Sequence, residues 1–184
     1  SVIIDADGRP LPFDQQPPVG DDPYCELLER NFVWMPAQVL YRREPFAASG
    51  GFDSSVNPCA DYDLYLRLAR TGRLVCHRAV VAQYRVHGNS MSRNAARMLR
   101  AALVVLARQR RFVVGSSRHR LAWERGQAFW RGFYGDQVVE DIRRQLRTRG
   151  SRRTLWSDVL TLIRYYPAAI VRNLRGKLKT AFER

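Results

Sequence analysis

The decapeptide DYDLYLRLAR, residues 61–70, places its apolar residues three and four apart, which predicts an amphipathic helix. A Thr-Gly pair follows it and predicts where the helix ends. The stretches on either side are typical of strands: residues 32–41 alternate and contain many β-formers, and residues 74–84 predict one or two short buried strands. Strand, helix and strand in quick succession predict an α/β fold for the first half of the chain.

The segments that precede this pattern predict further short elements. Residues 2–4 are an apolar run that predicts a strand entering a turn. Residues 8–23 carry five prolines and predict a loop. Residues 24–30 predict a short helix, and residues 42–48 predict a helical turn that ends at a Gly-Gly pair.

The second half of the chain predicts helices throughout, because apolar residues recur at spacings of three and four. Gly115, Gly135 and Gly150 predict breaks between these helices, and Pro167 predicts a kink. The predicted helices cover residues 98–111, 118–133, 136–146 and 155–174.

Charge divides the chain at the same place. The net charge of the 184 residues is +14, but residues 1–92 hold 9 basic and 11 acidic residues, whereas residues 93–184 hold 22 and 6. A basic region of this kind suits phosphate groups, nucleic acid or an anionic membrane surface. We therefore expect an α/β region at residues 1–92 and an all-helical basic region at residues 93–184.

The cysteines and the apolar runs exclude several classes of protein. The three cysteines form no CxxC pair and leave an odd thiol, so neither a disulfide framework nor a zinc cluster is predicted, and a reducing compartment is favoured. No apolar run is long enough to predict a membrane-spanning helix.

Three short segments carry the residues suited to chemistry. The first is GGFD at residues 50–53, where the glycines allow close backbone approach or a positive φ. The second is ADYDLYLR at residues 60–67, where carboxylates stand at a predicted loop-to-helix junction. The third is YRVHGNSMS at residues 84–92, where an Arg and a His follow a predicted strand. We expect the three segments to line one pocket.

In order and spacing these segments resemble the second half of family 2 glycosyltransferases, whose pattern runs as a GGFD loop, an EDYDLWLRL-like helix start and a YRxH strand end. The resemblance covers about residues 1–110 and includes NFVWMPAQVLYRREPFAASG at residues 31–50. It implies an α/β fold, namely the C-terminal, acceptor-side half of a glycosyltransferase A fold, followed by the helical basic tail. It also implies inverting transfer of a sugar from a nucleotide diphosphate donor to a glycan or lipid-linked acceptor.

The resemblance assigns roles to single residues. Asp61 matches the base that takes the proton of the acceptor hydroxyl. Arg85 and His87 match groups that assist the departing diphosphate, with His87 as a metal contact. A divalent metal, Mn or Mg, is expected, which the family holds with an Asp-x-Asp motif. The substrate-binding positions implied by the resemblance are Gly50, Gly51, Asp63, Arg85 and Trp34.

The sequence departs from the family pattern at two points. The Glu that usually precedes the base is Ala60 here, which leaves Asp61 with less support. The family's donor-binding strands and its Asp-x-Asp motif would stand ahead of the first residue, so we expect the chain to be inactive without an upstream donor-binding half. Residues 5–7 have the local form Asp-Ala-Asp, but the Gly that follows them predicts a turn rather than a metal site.

Simpler structural roles are open for several of these residues. Asp61 would serve equally to cap the helix that begins beside it. Asp53 and Asp63 would serve through turn and helix-dipole contacts. An aromatic residue at a predicted strand position, such as Trp34, is typical of a core. His87 taken alone would be an ordinary surface or core histidine.

The tail leaves alternatives of a different class. Residues 155–184 mix apolar residues with Lys and Arg, which fits a helix lying on an anionic membrane surface and equally fits a bundle with a solvated basic face. A nucleic-acid-binding module rests on charge alone, because no docking motif supports it. A non-catalytic remnant is a further alternative. The resemblance favours a cytoplasmic enzyme of polysaccharide assembly that is peripheral on the inner face of the plasma membrane.

Overall fold

The computed structural model describes residues 1–12, 19–33, 35–77, 79–86, 94–148 and 151–170. Helices make up most of these residues. In chain order the elements are β1 (Val2–Ile4), α1 (Pro23–Glu29), α2 (Arg43–Ala48), α3 (Ala60–Thr71), β2 (Gln83–Arg85), α4 (Ala95–Val113), α5 (Ser117–Thr148) and α6 (Arg152–Tyr165). Two short 3-10 turns, Pro36–Gln38 and Ser54–Val56, precede α2 and α3.

The predicted α/β fold is wrong for the described part of the chain, and so is the partial glycosyltransferase A fold. The strands β1 and β2 form one parallel pair, in which Ile3 lies opposite Tyr84. The predicted strand at residues 32–41 contains the 3-10 turn Pro36–Gln38 instead. The described part of the predicted strand at residues 74–84 pairs with β1 only at its end.

The physical reason for this difference is that a strand must pair its backbone groups with a neighbour. Within the described residues, the segment at 74–85 pairs with β1, which is only three residues long. Val75, Val80 and Val81 are therefore exposed rather than buried in a sheet. Their β-forming side chains favour a strand locally, but the pairing that makes a strand is not local.

The shorter predictions in the first half are confirmed. The strand β1 and the helices α1, α2 and α3 begin and end within one residue of the predicted positions. The start of α1 has the expected chemistry, because the Asp22 carboxylate accepts a hydrogen bond from the Cys25 N–H at 3.0 Å and Pro23 occupies the first helical position.

The core lies where α1 packs against both α3 and α5. Leu27 and Leu28 of α1 are completely buried, and the Tyr62 hydroxyl of α3 donates to the Leu27 carbonyl oxygen at 2.6 Å. The helices α4 and α5 pack along each other, and Trp123 Nε1 donates to the Leu106 carbonyl oxygen at 2.7 Å. One apolar cluster thus draws side chains from both halves of the sequence.

The predicted break at Gly135 is wrong, because α5 runs through this residue without interruption. A Cβ atom at Gly135 would lie 2.2 Å from Cδ1 of Tyr166, the residue that follows α6. The glycine therefore makes room for an aromatic ring within a continuous helix instead of ending it. The predicted break at Gly150 lies outside the described residues.

A second glycine of α5 sets the distance between α1 and α5. A Cβ atom at Gly126 would lie 1.8 Å from the backbone oxygen of Leu28. The two helix backbones would have to separate, so we expect Gly126→Ala to lower the free energy of unfolding by about 3 kcal/mol. Urea unfolding followed by circular dichroism measures this change.

Gly132 supplies a matched control on the same helix, since nothing lies within 4 Å of the Cβ position there. Gly132→Ala is expected to raise the free energy of unfolding by up to about 1 kcal/mol through helix propensity. Equal effects of the two substitutions would contradict the close packing of α1 on α5.

The predicted helix at residues 155–174 is interrupted in its described part. The helix α6 ends at Tyr165, Tyr166 follows with a non-helical backbone, and Pro167 begins a new helical turn. Proline is favoured at the first position of a helix because its missing N–H is not needed there. None of the helices in the described ranges is both long and apolar enough to cross a membrane.

Candidate active site

The Gly50–Gly51 loop joins α2 to the segment before α3. Both glycines have positive φ, 79° and 67°, a backbone conformation that other residues rarely adopt. A Cβ atom at Gly51 would lie 3.4 Å from the ring of Phe46. The two glycines are therefore explained by a tight turn that folds back on α2.

The side chain of Arg67 on α3 holds this loop in place. Its guanidinium donates to the Ser49 carbonyl oxygen and, at 2.6 Å, to the Gly51 carbonyl oxygen. The Nε of Arg67 donates to Asp63 Oδ2 at 2.8 Å. Because Asp63 is 2% exposed, this ion pair is largely withdrawn from water. Asp63 thus orients the arginine that fixes the glycine loop.

A second arginine connects the same loop to α4. Arg108 Nη1 lies 2.7 Å from Asp53 Oδ2 and 3.4 Å from Asp63 Oδ1, and its Nη2 donates to Ser55 Oγ at 3.0 Å. Asp53 also accepts the Ser55 N–H at 2.8 Å, and these hydrogen bonds hold its pKa well below the ordinary value. Asp53 and Asp63 therefore have the structural contacts expected of turn and network residues.

Asp61 lies in the first turn of α3, two residues after the N-cap residue Cys59. Its Oδ1 accepts the N–H of Tyr62 at 2.7 Å, and the side chain is partly buried. Burial raises the pKa of this carboxyl, and the hydrogen bond from the backbone offsets only part of that effect. A carboxylate that is partly withdrawn from water binds a proton more strongly than one in water, which is the property a general base needs.

Two tyrosines beside Asp61 were not predicted from the sequence. The hydroxyl oxygens of Tyr41 and Tyr65 are buried, and neither has a hydrogen-bond partner of good geometry among the described residues. Burial is the main cause that raises the pKa of both phenols, and Asp61 raises it further. The two hydroxyls also interact with each other, which leaves their remaining hydrogen-bonding capacity beside the carboxylate open to a polar ligand.

An aromatic cluster connects Asp61 to the glycine loop. The ring of Tyr41 lies 5.3 Å from that of Phe46 and 6.1 Å from that of Phe52, measured between centroids. Phe46 is the ring that Gly51 approaches. Asp63 is therefore joined to Gly50 and Gly51 through Arg67, whereas Asp61 is linked to the loop only through the ring of Tyr41.

The chain matches no family model, no curated protein and no solved structure.

The remaining predicted site residues are not joined to Asp61 by any contact in the described ranges. Arg85 is exposed, and its Nη1 donates to the Ala6 carbonyl oxygen at 2.7 Å, in the turn after β1. This hydrogen bond gives Arg85 a structural contact with the turn after β1.

Trp34 and His87 lie outside the described residues. In the parts of the chain that are described, no group of three or more His, Cys, Asp or Glu side chains is arranged to hold a metal ion. The divalent metal therefore stays a prediction, and the chemistry of Asp61 is derived from protein side chains.

Proposed function

We propose that the chain is the acceptor-side part of an inverting glycosyltransferase and that Asp61 is its general base. The observation that supports this most is a desolvated carboxylate with a raised pKa beside the buried hydroxyls of Tyr41 and Tyr65. The sequence resemblance supplies the reaction class, because Asp61 occupies the position of the base in the DYDLYLRL segment. A capping carboxylate would instead have a lowered pKa.

In the proposed reaction the acceptor hydroxyl binds beside Asp61. The carboxylate takes the hydroxyl proton while the oxygen attacks the anomeric carbon of a nucleotide diphosphate sugar from the face opposite the leaving group. The bond between that carbon and the diphosphate oxygen breaks, and the nucleoside diphosphate leaves with the bonding electrons. The configuration at the anomeric carbon is thereby inverted. Tyr41 and Tyr65 contribute by hydrogen bonding to the acceptor and fixing its orientation.

The glycine loop contributes shape rather than chemistry in this proposal. Arg67, Asp63 and Arg108 fix the loop against α3 and α4, so the surface presented by Gly50 and Gly51 is rigid. A rigid loop that is linked to the base through the ring of Tyr41 suits the positioning of a glycan or lipid-linked acceptor. The nucleotide sugar and a divalent metal would be held largely by residues outside those described.

The reaction is tested with the natural protein that contains this chain. It is incubated with a panel of UDP-linked and GDP-linked sugars and a cell-envelope lipid extract, and the released nucleoside diphosphate is measured. We expect release from at least one donor, dependent on the extract. No release from any donor, with a correctly folded protein, would contradict the proposal.

The exposed face of α6 supports a second part of the proposal, that the protein contacts a membrane surface. Trp156, Leu160 and Ile163 are 65%, 61% and 54% exposed and stand at helical spacings of four and three. The opposite face buries Asp158 and Thr161. Large apolar side chains exposed to water on one face of a helix suit the headgroup boundary of a bilayer.

Charge around α6 points to the same location. Arg152, Arg153 and Arg164 are exposed on this helix, and the described part of α6 has Asp158 as its single acidic residue. Basic side chains near an anionic membrane contribute about 1 kcal/mol each. We therefore propose that the protein is peripheral on a membrane, and the sequence resemblance favours the cytoplasmic face of the plasma membrane.

Replacement of Trp156, Leu160 and Ile163 by Ser is expected to weaken binding to mixed phosphatidylglycerol and phosphatidylcholine vesicles by more than about tenfold, because burial of these side chains is lost. Vesicle sedimentation measures the change. Replacement of Val75, Val80 and Val81 by Ser is the matched control, since these residues are equally exposed elsewhere on the protein. An equal loss in both variants would contradict a membrane face on α6.

A further inference from the structure

A basic cleft lies beside the glycine loop, on the side of α3 where its last turn meets the last turn of α4. The cleft has a volume of about 1100 Å³ and is lined by residues 49–54, by Asp63, Arg67 and Arg70 of α3, and by residues 107–112 and 114 at the end of α4. Asp61 does not line this cleft, whereas Asp63 does. The cleft is therefore separate from the proposed base.

The charges that line the cleft do not balance. Five arginines face two aspartates across it, Arg67, Arg70, Arg108, Arg110 and Arg111 against Asp53 and Asp63. The two aspartates are paired with Arg67 and Arg108. Within the described residues Arg70, Arg110 and Arg111 form no ion pair. Three positive charges are thus left without a carboxylate.

Helix ends account for only part of this excess. The C-terminal end of a helix carries a partial charge of about −0.5, and basic residues in the last turn are favoured for that reason. Arg70 is in the last turn of α3, and Arg110 and Arg111 are in the last turn of α4. The two helix ends together offset about one positive charge. The remaining excess favours an anion.

Arg70 and Arg111 are brought together on one aromatic ring. The guanidinium carbon of Arg70 lies 3.4 Å from the centroid of the Phe112 ring, and that of Arg111 lies 4.6 Å from the same centroid. The Nη1 atom of Arg70 is buried and has no hydrogen-bond partner among the described residues. Burial lowers the pKa of Arg70, and the charges of Arg111 and Arg67 lower it further. A bound anion would relieve both the repulsion and the missing hydrogen bond.

We propose that this cleft binds a phosphate group through the guanidinium groups of Arg70 and Arg111, with Phe112 holding the two side chains in place. Guanidinium groups bind phosphate oxygens through paired, charge-assisted hydrogen bonds, and two guanidinium groups that line one cleft match a group with two negative charges. The volume of the cleft exceeds that of a phosphate ion and suits a diphosphate or a phosphorylated lipid headgroup. These two sources share the same chemistry.

The proposal is tested by binding alone, so it can fail while transfer by Asp61 stands. Isothermal titration calorimetry with inorganic pyrophosphate tests the soluble source, and sedimentation with phosphatidic acid vesicles tests the lipid source. The variants are Arg111→Ala, which changes an exposed residue, and Arg70→Gln. The double variant Arg97→Ala/Arg100→Ala is the control, because it removes two exposed arginines of α4 outside the cleft.

We expect binding of pyrophosphate, of the vesicles or of both, weakened about tenfold or more by each cleft variant through the loss of a charge-assisted hydrogen bond. The control is expected to bind as the unchanged protein does. Absence of binding to both probes, or an equal loss in the control, would overturn the proposal. Binding confined to a random-sequence oligonucleotide, with neither probe bound, would also overturn it and would favour a nucleic-acid surface.

Discussion

Replacement of Asp61 by Asn is expected to lower the rate of sugar transfer by about 10² to 10⁴-fold, because the acceptor hydroxyl loses its general base. Asn keeps the size of the side chain and still accepts the Tyr62 N–H, so the start of α3 is preserved. The initial rate of nucleoside diphosphate release measures the effect. Asp21→Asn, at an exposed position, is the control for the change in charge and is expected to leave the rate unchanged.

Stability distinguishes this interpretation from a capping role. Folding raises the pKa of the Asp61 carboxyl, so the folded protein is less stable when this group is ionised than when it is protonated. The free energy of unfolding therefore falls as pH rises from the pKa of the unfolded state through that of the folded state. Asp61→Asn is therefore expected to unfold at a higher urea concentration than the unchanged protein at neutral pH. This difference should disappear in acid. A lower stability of the variant at neutral pH would contradict the account of Asp61.

Replacement of Asp63 by Ala is expected to lower the free energy of unfolding by about 3 to 5 kcal/mol, because it leaves the partly buried Arg67 without its partner. The Gly50–Gly51 loop would lose the arginine orientation that holds it. Urea unfolding measures the change. Glu140→Ala, which removes an exposed ion pair with Arg143 on α5, is expected to cost less than about 1 kcal/mol.

The Asp63 variant also decides between two roles. The resemblance implies that Asp63 binds substrate, whereas the network with Arg67 and Arg108 gives it a structural role. A variant as stable as the Glu140 control but without transfer activity would contradict the structural role. A variant with greatly lowered stability supports it.

Local patterns predict the short helices well. The apolar spacing of residues 61–70 gives α3, because this signal acts within a few residues. The predicted loop at residues 8–23 includes Asp22 and Pro23, which start α1 in the structure. The strands predicted at residues 32–41 and 74–84 fail for the opposite reason. Their β-forming residues specify no partner, and in the described chain the apolar surface is covered by helices.

The residues of the candidate site could likewise be predicted only in part from the sequence. Asp61 and the two glycines could be found from their motifs, and Tyr65 could have been found as well, because it follows Asp61 by four residues and so shares its helix face. Tyr41 could not, since it reaches Asp61 only through the packing of an aromatic cluster. The meeting of Arg70 and Arg111 on Phe112 likewise depends on how α3 packs beside α4.

The pKa of the Asp61 carboxyl is the most direct test of the central claim that this residue is a base in a desolvated site. Side-chain carboxyl resonances, assigned by comparison with Asp61→Asn, are followed by NMR through a pH titration of the folded protein. The account predicts a midpoint above the value of about 3.9 that an unperturbed aspartate has. A midpoint at or below that value would identify Asp61 as an ordinary first-turn carboxylate and would contradict its proposed role in sugar transfer.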